Sequence, residues 1–262
     1  MTENAFADEK HAGRKNRKKR TRILIRIVIP ILIAAVLFGA AAIFLSTYYH
    51  ADEAAVAAFS AGYAIDENKL DNGNLTFGIG RESFGLIFYP GGKVDEAAYA
   101  PLMRELAENG VFCVICRMPC HLAVLNGNAA DGVREDYPEV KNWYIGGHSL
   151  GGVMAASYLA GNSGFDGLIL LASYSQKDLS DSGLRVLSIY GSEDGVMDFG
   201  SYESSRANLP ADALELVIEG GCHAGFGMYG PQRGDGTPSI TDAEQIRRTA
   251  SLIIEFLLEK SA

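Results

Sequence analysis

Residues 142–160, NWYIGGHSLGGVMAASYLA, decide the fold of this protein. An apolar run (143–147) comes first, a glycine-rich turn follows, and a longer stretch of small and apolar residues (150–160) comes last. The short apolar run predicts a buried strand, and the longer stretch predicts a helix. We therefore predict a strand, a tight turn and a helix in direct succession.

The turn in this unit is a G-x-S-x-G motif formed by Gly147, His148, Ser149, Leu150 and Gly151. A sharp strand-to-helix turn holds the serine hydroxyl clear of the backbone, and the two glycines remove Cβ atoms that would collide there. The start of the following helix also favours negative charge. A chance glycine-rich turn is the alternative, but the flanking strand and helix are the context of a nucleophile elbow. We predict that Ser149 is a nucleophile.

Similar apolar runs recur on both sides of this unit and alternate with helical patterns. The candidate strands are Tyr63–Asp66, Leu75–Gly80, Gly85–Tyr89, Val111–Arg117, Trp143–Gly147, Gly167–Ala172, Val186–Tyr190 and Leu214–Ile218. Near-continuous apolar runs are typical of parallel strands that are buried on both faces. The first two strands are short and flank Asn72-Gly73, which predicts an antiparallel hairpin. The whole pattern predicts a doubly wound, mainly parallel α/β sheet, whose functional groups lie on the loops after the strands.

Two helices have clear boundaries in the sequence. Residues 95–109 carry apolar side chains at helical spacing, with Pro101 near the start of the regular helix and Gly110 as the stop. The last helix opens with a capping box between Thr241 and Glu244.

A serine nucleophile needs a base, and the base needs a carboxylate that orients it. Asp194 lies just after the buried strand Val186–Tyr190, and His223 follows the next strand, Leu214–Ile218. The chain order serine, acid, histidine is that of the α/β hydrolases. Glu193 is the alternative candidate for the orienting carboxylate, but we prefer Asp194 because of its position after Gly191. The other four histidines fit the role of base less well. His11 lies in the N-terminal tail and His50 next to the apolar segment, whereas His121 precedes the serine and His148 lies inside the elbow.

The oxyanion of the reaction intermediate needs two N–H donors. The N–H of Leu150, directly after the serine, is the first candidate. The second is expected on the loop Tyr89-Pro90-Gly91-Gly92-Lys93, with Gly92 preferred and Lys93 next. A plain Pro-Gly turn is the alternative interpretation of this loop.

The N-terminal segment differs in character from the rest of the chain. Residues 1–26 carry nine Lys or Arg against three acidic residues, whereas the remainder holds 14 basic and 29 acidic groups. Residues 27–45 carry no charge and are long enough to span a bilayer. The positive-inside rule places the N-terminus in the cytoplasm. A cleaved signal peptide is the alternative, but its apolar region would be shorter.

We accordingly divide the chain into a basic cytoplasmic tail (1–26), a transmembrane anchor (27–47), a juxtamembrane segment (48–61) with a short helix at 51–61, and one α/β domain (62–262). The lipid bilayer is the expected partner of residues 27–45. The acidic domain excludes a nucleic-acid binder that works by bulk charge.

No other motif in the sequence indicates a metal site, a phosphate-binding loop or a further activity. No His, Cys and Asp cluster has zinc spacing, and the glycine-rich stretch 225–237 has no phosphate-loop lysine. The adhesion tripeptide Arg233-Gly234-Asp235 is short enough to occur by chance. We expect no metal and no cofactor.

Four segments in this order resemble the α/β-hydrolase fold superfamily, and more narrowly its membrane-anchored bacterial hydrolases: YPGGKVD (89–95), GGHSLGG (146–152), YGSEDGV (190–196) and GGCHAGFG (220–227). The resemblance covers about residues 60–260 and implies a Ser149, Asp194, His223 triad in a domain outside the cytoplasm, at the plasma membrane. Members of this group carry Asn before the catalytic histidine and no Cys in the segment that corresponds to Pro119–His121. This chain has Cys222 and Cys120 at those positions.

These two cysteines both follow predicted strands, so both are expected at the catalytic edge of the sheet. An extracytoplasmic domain permits oxidation, and a Cys120–Cys222 disulfide is therefore a hypothesis, with two unpaired small residues as the alternative. Cys113 and Cys116 lie within a strand and are expected to be buried.

The sequence thus predicts a membrane-tethered serine hydrolase that acts on small-molecule or polymer-linked carboxylic esters. An acyltransferase with the same nucleophile is one alternative, and a non-catalytic scaffold on the same fold is another. Only thirteen residues separate Ala172 from Val186, where caps are usually inserted, so we expect an open site without a cap domain.

Overall fold

The computed structural model describes the backbone of residues 3–61 and 65–259 and the side chains of residues 24–61 and 65–259. It forms two compact units that divide between Thr47 and Tyr48. The first unit is helix α1 (Glu3–Ser46). Within it, Leu24–Ser46 has a mean hydropathy of 2.8 and is long and apolar enough to cross a membrane, a property that an N-terminal signal sequence shares.

The second unit is built on one sheet, which has eight strands among the described residues. The strands are β1 (Glu67–Lys69), β2 (Leu75–Phe77), β3 (Phe84–Tyr89), β4 (Val111–Ile115), β5 (Asn142–His148), β6 (Gly167–Leu171), β7 (Arg185–Gly191) and β8 (Leu214–Ile218). Their order across the sheet is β1-β2-β4-β3-β5-β6-β7-β8. β1 pairs antiparallel with β2, and β2 pairs antiparallel with β4. All other neighbours are parallel, which confirms the predicted doubly wound α/β sheet.

The first predicted strand does not form over its described residues, and the other seven match within a few residues. Residues 63 and 64 lie outside the described residues, Ile65 and Asp66 are not in a strand, and β1 begins at Glu67. All three β1 residues are exposed and polar, so no apolar pattern marks them. The hairpin itself forms as expected around Gly73, whose φ is 87°.

The helices after α1 are α2 (Glu53–Ser60), α3 (Ala100–Glu108), α4 (Val133–Asp136), α5 (Leu150–Leu159), α6 (Phe199–Ser205) and α7 (Asp242–Leu258). A 3₁₀ turn (Glu96–Tyr99) leads into α3, with Pro101 in its first turn as predicted. The Thr241 hydroxyl caps α7 by accepting from the Glu244 N–H at 3.2 Å. The Glu244 carboxylate pairs with Arg248 instead of completing the capping box.

Alternate residues of the central strands contribute to two cores, one on each face of the sheet. In β3, Leu86 and Phe88 pack with residues of α3 and α7, whereas Ile87 and Tyr89 pack with residues of α5. Burial on both faces explains the continuous apolar runs of the sequence. The fully described residues 172–184, between β6 and β7, contain no helix. The C-terminal edge of the sheet therefore has no helical lid at this position.

Candidate active site

Ser149 occupies the turn between β5 and α5 in a strained backbone conformation, with φ 52° and ψ −124°. Positive φ is uncommon for a residue with a Cβ and persists only where surrounding contacts enforce it. Two contacts do so here. The Ser149 N–H donates to the Leu171 carbonyl at 2.9 Å, and the Ser173 hydroxyl donates to the Ser149 carbonyl at 2.7 Å. The last residues of β6 and those that follow thus hold the serine in place.

The glycines of the motif allow β3 and α5 to approach each other with backbone-to-backbone contact. A Cβ on Gly147 would lie 2.6 Å from both the Tyr89 carbonyl oxygen and the Gly151 carbonyl carbon. A Cβ on Gly151 would overlap the carbonyl oxygens of Tyr89 and Pro90. The geometry is that of the predicted elbow.

Asp194 and His223 form a buried hydrogen-bonded pair. The His223 Nδ1–H lies 2.8 Å from Asp194 Oδ2, and both side chains are at most 1% exposed. The other carboxylate oxygen accepts from the N–H groups of Val196, at 2.9 Å, and Met197, at 2.8 Å. Because Nδ1 donates to the carboxylate, the lone pair of the imidazole is on Nε2, which is buried and has no hydrogen-bond partner among the described residues.

Glu193, the rival acid, does not contact the histidine. Its side chain is exposed and accepts from the Ser192 hydroxyl at 3.3 Å. The geometry thus favours Asp194 as the orienting carboxylate.

Ser149 and His223 line one cavity of about 340 Å³ at the C-terminal edge of the sheet. Its other lining residues are largely apolar, and they are Val124, Leu150, Val153, Met154, Ala172, Ser173, Tyr174, Gln176, Val196, Met197 and Asp198. The cavity brings the predicted nucleophile and the predicted base to the same space.

The loop after β3, residues 90–93, lies against the start of α5, and we call it the oxyanion loop. A Cβ on Gly92 would lie 2.9 Å from the Leu150 side chain. The Lys93 N–H donates to the His121 carbonyl at 2.6 Å. It therefore already has an acceptor other than an oxyanion. Among the described residues, no acceptor takes the N–H of Gly92 or of Leu150. The geometry therefore favours Gly92 over Lys93 as the candidate for the second donor.

A buried tyrosine links the oxyanion loop to the elbow, and the sequence did not predict this link. The Tyr99 hydroxyl accepts from the Gly91 N–H at 3.0 Å and lies 2.8 Å from His148 Nδ1. Burial, and secondly the neighbouring His223, lowers the pKa of His148 well below its usual value. His148 is therefore neutral at pH 7.

The structure contradicts the hypothesis of a Cys120–Cys222 disulfide and supports its alternative, because all four cysteines are free thiols. Cys120 lies exposed after β4, whereas Cys222 is buried after β8. These strands are five positions apart in the sheet, which at the usual spacing of ~4.8 Å separates their ends by roughly 24 Å. Two strand ends at one edge of a sheet need not be neighbours. Cys113 and Cys116 are buried within and just after β4, as expected.

Outside this cavity, the described residues show no group of three or more His, Cys, Asp or Glu side chains that could hold a metal ion. His121 pairs instead with Glu96, at 3.3 Å, and stacks on Tyr48. The side chain of His11 lies outside the described residues.

A mainly parallel sheet, a serine on a strained strand-to-helix turn and an acid–histidine pair after later strands define the α/β-hydrolase class of protein. The family model for the alpha/beta hydrolase family matches residues 85–247, and the chain belongs to that family. No curated protein sequence matches the chain.

Solved structures from three organisms share the fold at low sequence identity. TT1662 from Thermus thermophilus is 15% identical, with a TM-score of 0.55 over 74% of this chain and 97% of that chain. Est1E from Butyrivibrio proteoclasticus is 14% identical, with a TM-score of 0.53 over 74% and 98%. A structure from a study of carboxylesterases of the thaumarchaeon Nitrososphaera gargenis is 13% identical, with a TM-score of 0.53 over 75% and 100%.

Proposed function

We propose that this protein is a serine hydrolase that cleaves carboxylic esters, with Ser149 as nucleophile, His223 as base and Asp194 as orienting acid. The observation that carries the proposal is the buried Asp194–His223 pair, which opens on the same cavity as the strained Ser149. Membership of the alpha/beta hydrolase family supports a hydrolase. One structure of the same fold comes from a study of carboxylesterases, which is consistent with an ester substrate.

In the proposed reaction, Ser149 Oγ attacks the ester carbonyl carbon and its proton passes to His223 Nε2. The N–H groups of Gly92 and Leu150 stabilise the oxyanion of the tetrahedral intermediate. The intermediate collapses, the C–O bond breaks, and the alcohol leaves with the proton from Nε2. Water then attacks the acyl-enzyme with His223 again as base, and the carboxylic acid is released. The cycle uses ester and water alone.

The shape of the cavity favours small acyl groups. It holds about 340 Å³, and the side chains of Val153, Met154 and Met197 give it apolar walls. No helix of residues 172–184 covers its mouth. We therefore propose short acyl esters, or accessible esters on a polymer, as the substrates.

We further propose that Leu24–Ser46 anchors the enzyme in the plasma membrane with the hydrolase domain outside the cytoplasm. The apolar span and the basic residues before it support this orientation. Protease added to intact cells should remove the domain after residue 48 and leave the tail protected. Survival of the domain in intact cells, with cleavage only after lysis, would contradict this topology.

A hydrolysis screen over acyl length tests the activity. Purified full-length protein in detergent should hydrolyse short-chain esters, Ser149→Ala should be inactive, and Ser157→Ala, the same substitution two turns further along α5, should keep wild-type turnover. Equal activity of Ser149→Ala and wild type would overturn the proposal. If added alcohols or amines become acylated faster than water reacts, the enzyme is an acyltransferase instead.

A further inference from the structure

The segment Arg233–Gly236 lies against both loops that carry the acid and the base. The sequence Arg233-Gly234-Asp235 alone indicates no function for this segment. In the structure, the Asp235 carboxylate is the acceptor for four backbone N–H groups from three places in the chain. No other part of the proposed mechanism uses this residue.

The four hydrogen bonds join the neighbours of Asp194 to those of His223. Asp235 Oδ1 accepts from Gly195, the residue after the acid, at 3.1 Å, and from the His223 N–H at 3.1 Å. Oδ2 accepts from Ala224, the residue after the base, at 2.8 Å. The fourth bond, from Gly236 at 2.9 Å, fixes the carboxylate to its own loop.

Close backbone packing accompanies these bonds. A Cβ on Gly195 would lie 2.7 Å from the Gly234 carbonyl oxygen and 2.9 Å from the Gly236 nitrogen. A Cβ on Gly236 would overlap the carbonyl oxygen of Glu193. The loop of Asp235 therefore fits directly against the loop of the acid, and glycines at 195 and 236 make that fit possible.

Asp235 is a carboxylate at neutral pH and can only accept. Burial by itself would raise its pKa, but the N–H groups of Ala224, Gly195, His223 and Gly236 outweigh that effect and lower it. The Cys222 thiol also donates to the Asp235 carboxylate, which forms no salt bridge among the described residues.

The sheet by itself does not fix the acid and the base relative to each other. The pairing of β7 with β8 ends at Gly191 and Ile218, three residues before Asp194 and five before His223. Three bonds with backbone donors join the loops beyond that point, from Ser192 to the Ile218 carbonyl at 3.1 Å, from Glu193 to the Gly221 carbonyl at 2.8 Å and from Gly220 to the Ser192 hydroxyl at 2.9 Å. Asp235 adds the bonds closest to the two functional side chains.

We propose that Asp235 is a positioning residue that holds the Asp194 and His223 loops in register, so that the His223 Nε2 faces Ser149. This inference rests on the proposed serine hydrolase function. It assigns to Asp235 an effect on the rate of the chemical step and little effect on substrate binding, because the residue does not line the cavity.

Asp235→Asn in the full-length protein tests the inference. Asparagine keeps one acceptor oxygen. Its NH₂ group, however, would face a backbone N–H that donates to the carboxylate in the wild-type protein, and two donors cannot form a hydrogen bond with each other. We expect kcat for ester hydrolysis and the rate of Ser149 labelling by a fluorophosphonate each to fall at least about tenfold, as small misplacements of reacting groups do, with KM within about twofold of wild type. Asp178→Asn is the control. It makes the same charge change at an exposed carboxylate that accepts from Ser180, and it should match wild type.

A second variant covers the case in which Asp235→Asn fails to fold. Gly195 is exposed, and the Cβ that Gly195→Ala adds would push the Asp235 loop away. This variant should also slow labelling. Gly161→Ala, whose Cβ would meet only the Tyr158 carbonyl oxygen at 3.9 Å, should label at the wild-type rate. Folded Asp235→Asn or Gly195→Ala protein that labels at the wild-type rate would overturn the role of Asp235, even if its melting temperature is lower. Wild-type protein that is not labelled at Ser149 would overturn the proposed function and this inference together.

Discussion

Replacement of Gly147 by alanine tests the elbow on which the proposed chemistry depends. The added Cβ would lie 2.6 Å from the Tyr89 carbonyl oxygen, 2.6 Å from the Gly151 carbonyl carbon and 2.7 Å from the Gly152 nitrogen. All three are backbone atoms, so no side chain can rotate away. Ordinary contacts begin at 3.4 Å, and the end of β3 and the start of α5 must therefore move apart by nearly an ångström.

The cost follows from this displacement. Overpacking of a rigid site costs roughly 1–3 kcal/mol, and each kcal/mol lowers the melting temperature of a domain of this size by about 2–4 °C. The same movement shifts Ser149 relative to the oxyanion loop. A misplacement of about 1 Å can reduce the rate by about 10². We expect Gly147→Ala to melt several degrees below wild type and to lose most of its ester hydrolysis while still folded at 25 °C.

Thermal unfolding followed by circular dichroism and initial rates on a short-chain ester are the assays. Gly161→Ala is the matched control, because its Cβ would meet only the Tyr158 carbonyl oxygen at 3.9 Å. That variant should stay within about 0.5 kcal/mol of wild type, as surface substitutions usually do. Wild-type melting and wild-type rates for Gly147→Ala would refute the reasoning.

Three further predictions concern the residues around the elbow. Asp194→Asn should lower kcat by about 10⁴ by analogy with known triads, whereas the exposed Glu193→Gln should change little; a larger loss for Glu193→Gln would mean that the acid is misassigned. Burial lowers the pKa of His148, so the unfolded chain binds a proton that the folded protein excludes. The free energy of unfolding should therefore have its highest value above pH 6.5. As the pH decreases below 6.5, it should decrease by at most about 1.4 kcal/mol per pH unit. Urea unfolding at pH 7.5 and 5.5 should show less of this loss in His148→Asn, and an unchanged loss would contradict the assignment. Tyr99→Phe removes the hydroxyl that holds the oxyanion loop, and kcat should fall further than in Tyr89→Phe, which removes a buried hydroxyl bonded to backbone groups elsewhere; equal kcat values in the two variants would rule out that role.

The features that the sequence predicted well are those encoded by neighbouring residues. The elbow needs a strand, a serine between glycines and a helix, and all three lie within residues 142–160. The buried parallel strands appear as apolar runs because both of their faces are covered. Asp194 and His223 could be placed because each follows such a strand, in the chain order of the fold class.

The features that sequence reasoning missed depend on which distant segments meet. The strand order separates β4 from β8, so Cys120 and Cys222 cannot pair although both follow strands. β1 is polar and exposed, and it exists because it pairs with β2. The contacts of Asp235 join three loops, and nothing in its own tripeptide indicates them.

Mapping the site of a fluorophosphonate adduct on the wild-type, full-length protein tests the central claim most directly. Mass spectrometry of the digested adduct should find the label on Ser149 alone, and no adduct should form on Ser149→Ala, while Ser157→Ala is labelled as wild type. An adduct on a different serine, or no adduct on folded wild-type protein, would contradict the assignment of Ser149 as the nucleophile of a serine hydrolase.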